Sequence, residues 1–170
     1  MQGAIVVWGG ARPQIMQIDV GNDMELSGHC YCGAIRYTAQ PDIKARIQCC
    51  CRECQYISGG NPNVMLALPS DSFRYETGVV KQFTRLDVAN PVVREFCPIC
   101  GTHLLSRSPR LPGLVLVKVG TLDQPALFDK PDFVQFISEC QAFHVVPDGV
   151  PAYEGRRPAQ GGSLSGQTVE

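Results

Sequence analysis

Cys97-Pro98-Ile99-Cys100-Gly101 sets two cysteines apart by two residues and follows them with glycine. Cys30-Tyr31-Cys32-Gly33 repeats the device with one residue between the thiols. Each reads as a knuckle, a tight turn in which backbone N–H groups face the sulfurs and glycine takes the positive φ the turn requires. Between them lies a third group, Cys49-Cys50-Cys51-Arg52-Glu53-Cys54. A thiolate near a metal and N–H donors has its charge compensated, which lowers its pKa. Short-spaced cysteine pairs far apart in a chain are a zinc pattern, and these spacings are not those of iron–sulfur runs.

Two knuckles make a closed four-sulfur set, whereas the compact cluster Cys49, Cys51 and Cys54 supplies three sulfurs and leaves a coordination position open. Spacing alone leaves the pairing of clusters undecided. The simplest arrangement joins Cys30/Cys32 to Cys97/Cys100 across a sheet and lets the compact cluster hold a metal by itself. Three thiolates give a zinc an excess negative charge, so it acidifies bound water less than a three-histidine zinc. Its fourth ligand is better a further thiolate, from a substrate, which points to chemistry on small thiols rather than hydrolysis.

Outward from the clusters the chain reads as strands. Residues 34–38, 79–86, 92–96 and 133–137 alternate in type, and 64–68 and 114–119 are continuously apolar, as strands buried on both faces would be. A short helix is expected from near Cys51 to the stop at Gly59-Gly60. With 17 Gly, 13 Pro and no long helical period, the expected architecture is all-β with short connections and no internal repeat. Its 170 residues suit one domain. Residues 1–23 read as an N-terminal extension, most of which a start at Met16 or Met24 would remove, 24–155 as the zinc-binding domain, and 156–170 as a disordered tail rich in Gly, Ser and Gln.

The formal net charge is −1, and thiolates loaded with zinc would make it more negative, so neither nucleic acid nor a membrane surface is an expected partner. Nine cysteines are an odd number, which a complete disulfide framework cannot use. No signal-peptide pattern or membrane-length apolar run is visible, and the expected location is the reducing cytoplasm.

Three stretches carry a resemblance: Gly28-His29-Cys30-Tyr31-Cys32-Gly33-Ala34-Ile35-Arg36-Tyr37, then Cys49 to Cys54, then Phe96-Cys97-Pro98-Ile99-Cys100-Gly101-Thr102-His103-Leu104. Together with residues 136–139 and 148–151 they resemble the glutathione-dependent formaldehyde-activating enzyme family, which also includes centromere protein V. The resemblance implies a β-tent fold, shared with methionine sulfoxide reductase B, built of short coiled antiparallel sheets. It implies two zinc ions, a structural one on Cys30, Cys32, Cys97 and Cys100 and a second on Cys49, Cys51 and Cys54, whose three-sulfur set also admits an exchangeable ion. It further implies carbon–sulfur lyase chemistry, the reversible joining of glutathione and formaldehyde into S-hydroxymethylglutathione. This chain departs from the family pattern at Cys50, where the family usually has histidine.

The sequence therefore offers Cys49, Cys51 and Cys54 as the residues that hold a substrate sulfur, with Cys50 a further catalytic candidate. Arg52 is a candidate for a substrate carboxylate, and Gly59 and Gly60 for close approach of the ligand backbone. His29 and His103 flank knuckles and are read as surface groups or as orienters of a ligand. His144 is read as a satisfied half-buried histidine, Cys140 as a small buried hydrophobe in a strand, and Cys50 otherwise as an outward-facing bystander. Two other functions compete with the lyase: a non-catalytic zinc-binding interaction module, and a thiol redox enzyme using Cys50 or Cys140.

Overall fold

A computed structural model of the chain describes residues 25–158. The extension expected at 1–23 and most of the expected tail, 159–170, lie outside these residues. In chain order the elements are β1 (Leu26–His29), β2 (Arg36–Ala39), β3 (Ala45–Cys49), α1 (Arg52–Ile57), β4 (Asn63–Pro69), β5 (Phe73–Thr77), β6 (Lys81–Phe83), β7 (Val93–Phe96), β8 (His103–Arg107), β9 (Leu114–Lys118), β10 (Phe133–Gln135) and β11 (Ala152–Tyr153). Short 3-10 turns occupy Val119–Thr121, Pro125–Phe128 and Ile137–Glu139. The all-β reading thus holds, with one short helix where the glycine stop placed it. No helix among the described residues is long and apolar enough to cross a membrane.

Strands β1-β2-β5 form one sheet, and the order β11-β10-β3-β4-β9-β8-β7-β6 forms a second. The small sheet covers one face of the large one. Leu26, Tyr37 and Phe73 from the small sheet join Leu66, Leu68, Leu104, Val115 and Val117 from the large sheet in one buried core. The other face of the large sheet carries a second core of Ile47, Cys49, Met65, Ala67, Leu116 and Phe133. Alternation of side chains sends Leu66 and Leu68 to the first core and Met65 and Ala67 to the second. That is why the run at 64–68 lacks polar residues: both faces are covered. Strand β9 behaves in the same way, so Lys118 falls on the face of Leu116, toward the second core, in register with Met65.

The structure corrects several strand limits. The strand expected over 79–86 shrinks to β6, an exposed edge strand with no core behind it; Leu86 is 99% exposed. The run 133–137 ends at Gln135, because Phe136 turns into the left-handed region at φ 60° and opens a 3-10 turn. Cys140 therefore caps that turn and is half-exposed rather than buried in a strand. The sheets are antiparallel except at β10, which pairs parallel with both β3 and β11. Beyond β11, the Arg157 guanidinium lies 4.5 Å from the centre of the Phe133 ring.

The small sheet is pinned at its far side through Tyr37. Its hydroxyl donates to Thr121 Oγ1 at 2.7 Å, and Thr121 Oγ1 donates to the Lys118 carbonyl at 2.8 Å. Gly28 faces this pair so closely that an added Cβ would collide with the Tyr37 hydroxyl and the Thr121 carbonyl. Gly28→Ala should destabilise the protein by about 1–3 kcal/mol, the usual cost of overpacking. An unchanged urea midpoint would show that the sheet contact is not tight.

Candidate metal centre

The two knuckles are hairpin turns of matching construction. In β1–β2, Gly33 N–H donates to the Cys30 carbonyl at 2.8 Å, and Cys30 N–H donates to the Ile35 carbonyl at 3.0 Å. In β7–β8, Gly101 N–H donates to the Cys97 carbonyl at 2.9 Å, and Cys97 N–H donates to the Thr102 carbonyl at 2.9 Å. Gly33 and Gly101 both sit at φ 74°, the conformation the turn requires. The turns meet: the sulfurs of Cys30, Cys32, Cys97 and Cys100 all lie within 4.8 Å of one another. Cys30 and Cys32 are 3.5 Å apart and Cys32 and Cys97 3.8 Å apart. A tetrahedral ion with bonds of about 2.3 Å spaces its sulfurs about 3.8 Å apart, so the set fits such an ion.

The set divides its protons: the Ala34 N–H works downward on Cys32, but its hydrogen bond with Cys30 and burial outweigh it and push it up to about 12, while two of its neighbours are drawn down. Cys100 is lowered to about 5, chiefly by its hydrogen bond with Thr102, whose Oγ1 lies 3.1 Å from the sulfur. Burial works against ionising Cys30, yet the Ile35 N–H, which donates to its sulfur at 3.3 Å, and the neighbouring thiols bring it below its ordinary value.

The second group is Cys49, at the end of β3, with Cys51 and Cys54 at the start of α1; their sulfurs also lie within 4.8 Å of one another. Cys51 is the residue before the helix, and its extended φ of −60° and ψ of 151° turn the chain out of the strand. Helix α1 is held in place from two sides. Arg94 Nη2 of β7 meets Glu53 Oε2 at 2.6 Å, and the Arg52 N–H donates to Glu139 Oε2 at 2.6 Å. Cys54 accepts from Asn63 Nδ2 at 3.6 Å, and Asn63 is the register partner of Cys49 in β4.

The three thiols divide their protons unequally. Hydrogen bonds from Cys49 and Cys51, with help from the Asn63 amide and the Lys118 charge, lower Cys54 to about 3. Hydrogen bonding to Cys51 and Cys54, then burial, pushes Cys49 far above the ordinary thiol range. In Cys51 the hydrogen bond from Cys49 works downward, but the one with Cys54 and burial outweigh it, and its pKa is raised. Without a metal the trio is one thiolate and two thiols.

Sequence reasoning missed two residues of this site. Lys118 is buried, and its Nζ has no hydrogen-bond partner among the described residues. Burial lowers its pKa to about 8, while Cys54, Cys49 and Cys51 act in the opposite direction. An unpaired buried cation is costly, and negative charge on the neighbouring thiols, Cys54 first, is what compensates it. The lysine therefore marks an anionic site, and the sulfur donors themselves are what suit a metal dication. Asn63 was the other omission. The available signals were a lone lysine ending an apolar strand and a lone asparagine beginning one.

The remaining candidates separate clearly. Arg52, Gly59 and Gly60 come together with Gln55 and Tyr56 around an open hollow of about 290 Å³. Arg52 lies over the Tyr56 ring, 5.1 Å from its centre, and bonds Gln55 Oε1. His29 donates from Nδ1 to the Cys30 carbonyl at 2.7 Å, so it braces the knuckle's backbone rather than a sulfur. Burial and the nearby Lys118 charge lower His103 to about 3, and its Nε2 lies 2.9 Å from the Leu105 carbonyl. Cys50 is fully buried, not an outward-facing bystander. Its sulfur joins neither cysteine cluster but sits with Cys140 and His144.

A family model described as glutathione-dependent formaldehyde-activating enzyme matches residues 25–139. No curated protein matches the chain. Among solved structures, a crystal structure of a Rhodobacter sphaeroides protein aligns at 17% identity with a TM-score of 0.48, covering 57% of this chain and 87% of that one.

Two outcomes follow for the three-cysteine cluster. Metal must displace the protons held by Cys49 and Cys51, so its apparent affinity should climb with pH by about two powers of ten per unit near neutrality, one for each proton. A pH-independent affinity in competition with a chelator would contradict the proton distribution described above. Asn63→Ala should lower that affinity about 10–100-fold, the usual effect of removing a hydrogen-bond partner of a metal ligand.

Proposed function

The chain belongs to the glutathione-dependent formaldehyde-activating enzyme family, and from that premise we propose that it is a zinc-dependent carbon–sulfur lyase, or thiol-adduct synthase, acting on a glutathione-like thiol. The observation that carries this reading is the three-sulfur cluster of Cys49, Cys51 and Cys54, one ligand short of a closed four-sulfur set. A zinc ion on these sulfurs supplies the Lewis acidity that keeps a substrate thiol ionised at neutral pH. The four-cysteine set, closed and drawn from two hairpins, is the structural site. The two packed sheets support the β-tent reading of the fold.

The chain's own residues do the rest. Lys118 offsets the negative charge that gathers when another thiolate joins three cysteine thiolates. Asn63 keeps Cys54 oriented through its amide N–H. Arg52, steadied by Gln55 and Tyr56, presents guanidinium N–H groups to a carboxylate of the thiol substrate, as peptide-like thiols possess. Gly59 and Gly60 have positive φ and no side chain, so a ligand backbone can lie against them. In the synthetic direction the substrate sulfur attacks the carbonyl carbon of a small aldehyde. A carbon–sulfur bond forms, the carbon–oxygen π bond breaks, and the oxygen takes a proton; the lyase direction is the reverse. Holding the sulfur ionised and oriented lowers the barrier by positioning. Nine cysteines without a disulfide support placing this chemistry in the reducing cytoplasm.

Replacing zinc by cobalt gives the test. Glutathione should change the cobalt absorption of the wild-type protein, and the protein should speed the approach of glutathione and formaldehyde to equilibrium. Cys54→Ser should abolish both, whereas Arg52→Ala should raise KM with little effect on kcat. Two metal ions bound, with neither thiol-dependent absorption change nor adduct chemistry, would favour a non-catalytic interaction module.

A further inference from the structure

We propose that Cys50, Cys140 and His144 form a third metal site, a two-sulfur, one-nitrogen set that takes a zinc-like divalent cation. Their ligand atoms all lie within 4.8 Å of one another, and the reaction proposed above uses none of them. The backbone explains the separation. In the extended run leaving β3, successive side chains point to opposite sides, so Cys49 and Cys51 turn to one cluster and Cys50 to the other. Cys140 and His144, four positions apart along the chain, approach Cys50 from the segment after β10.

The histidine is prepared for ligation. Its Nε2–H donates to the Gly60 carbonyl at 2.8 Å, which leaves the lone pair on Nδ1. Donation of the far ring N–H to a backbone carbonyl is the arrangement that metal-bound histidines use to fix tautomer and ring plane. In the absence of metal that lone pair accepts the Gln141 N–H at 3.1 Å, a half-buried amide that water can satisfy when a cation takes the nitrogen. The two cysteine segments are also fixed beforehand. Gln55 is buried, and its Nε2 donates both to the Cys50 carbonyl at 2.6 Å and to the Glu139 carbonyl at 2.9 Å. Cys50 N–H is held by the Gln135 carbonyl at 3.0 Å.

The donor chemistry selects the ion. Two thiolates and an imidazole suit a borderline-soft cation rather than calcium or magnesium. They neutralise a dication exactly in charge, so the loaded site buries no net charge. Three protein ligands leave a fourth position open. The site touches the hollow, since Gln55 and Gly60 both line it.

The test uses the full chain, reduced, stripped of metal with a chelator and titrated with cobalt. Cys140→Ala and His144→Ala should each bind one equivalent less than wild type. The wild-type-minus-variant spectrum should show sulfur-to-cobalt charge transfer, and metal should protect the half-exposed Cys140 from alkylation. Since only differences are read, the result does not depend on whether the cluster at 49–54 binds a thiol; repeating the comparison in a Cys54→Ser background checks this. Circular dichroism confirms that each variant is folded. Equal metal content in wild type and both folded variants would overturn the proposal. So would a Cys50–Cys140 disulfide, found by mass, that forms when the reductant is removed and dissolved oxygen oxidises the two thiols, if cobalt added beforehand does not prevent it.

Discussion

Sulfurs from two hairpin turns, one in each sheet, converge within a single coordination radius, and the rest of the architecture depends on that convergence. The small sheet has three strands and cannot bury its apolar face alone. Tyr37, Phe73 and Leu26 must lie against the large sheet, and the knuckles of β1–β2 and β7–β8 fix the angle at which they do so. The core then closes around the knuckles: Cys30 and Cys97 are wholly buried members of it.

The large sheet solves a different problem, namely where to put charge. Its second face is apolar over most of its area but ends in thiols, an asparagine and a lysine, brought together by register rather than by sequence proximity. Cys49 pairs with Asn63, and Met65 next along pairs with Lys118. A single shift of register would turn Lys118 into the first core, among Val115 and Val117, where nothing could neutralise it. The charge of the site and the alignment of the sheet therefore specify each other.

This explains what was legible in the chain. Knuckles are local, so Cys30-Tyr31-Cys32-Gly33 and Cys97 to Gly101 could be read directly, down to the sign of φ at the glycines. Helix α1 was legible for the same reason, since Gly59 and Gly60 stop it locally. Lys118 and Asn63 were not, because their meaning lies in pairing across strands. Cys140 was misplaced because Phe136 adopts a left-handed conformation that no β-propensity foresees in an aromatic residue. Strands β1, β3, β5 and β8 lacked long alternating runs; they exist because neighbours complete their hydrogen bonding. Cys50 was misjudged because a bystander and a buried ligand look identical in the chain until residues ninety positions later fold back.

The parallel pairing of β10 with β3 has a consequence for biosynthesis. Strand β3 carries Cys49 and stays an open edge until residues 133–135 arrive, and those residues leave the ribosome late. A nascent chain holding only the first two-thirds of the sequence exposes that edge, with reactive thiols at its tip, to any neighbouring polypeptide. Strand β10 therefore covers an edge of β3 that would otherwise stay open to pairing with another chain.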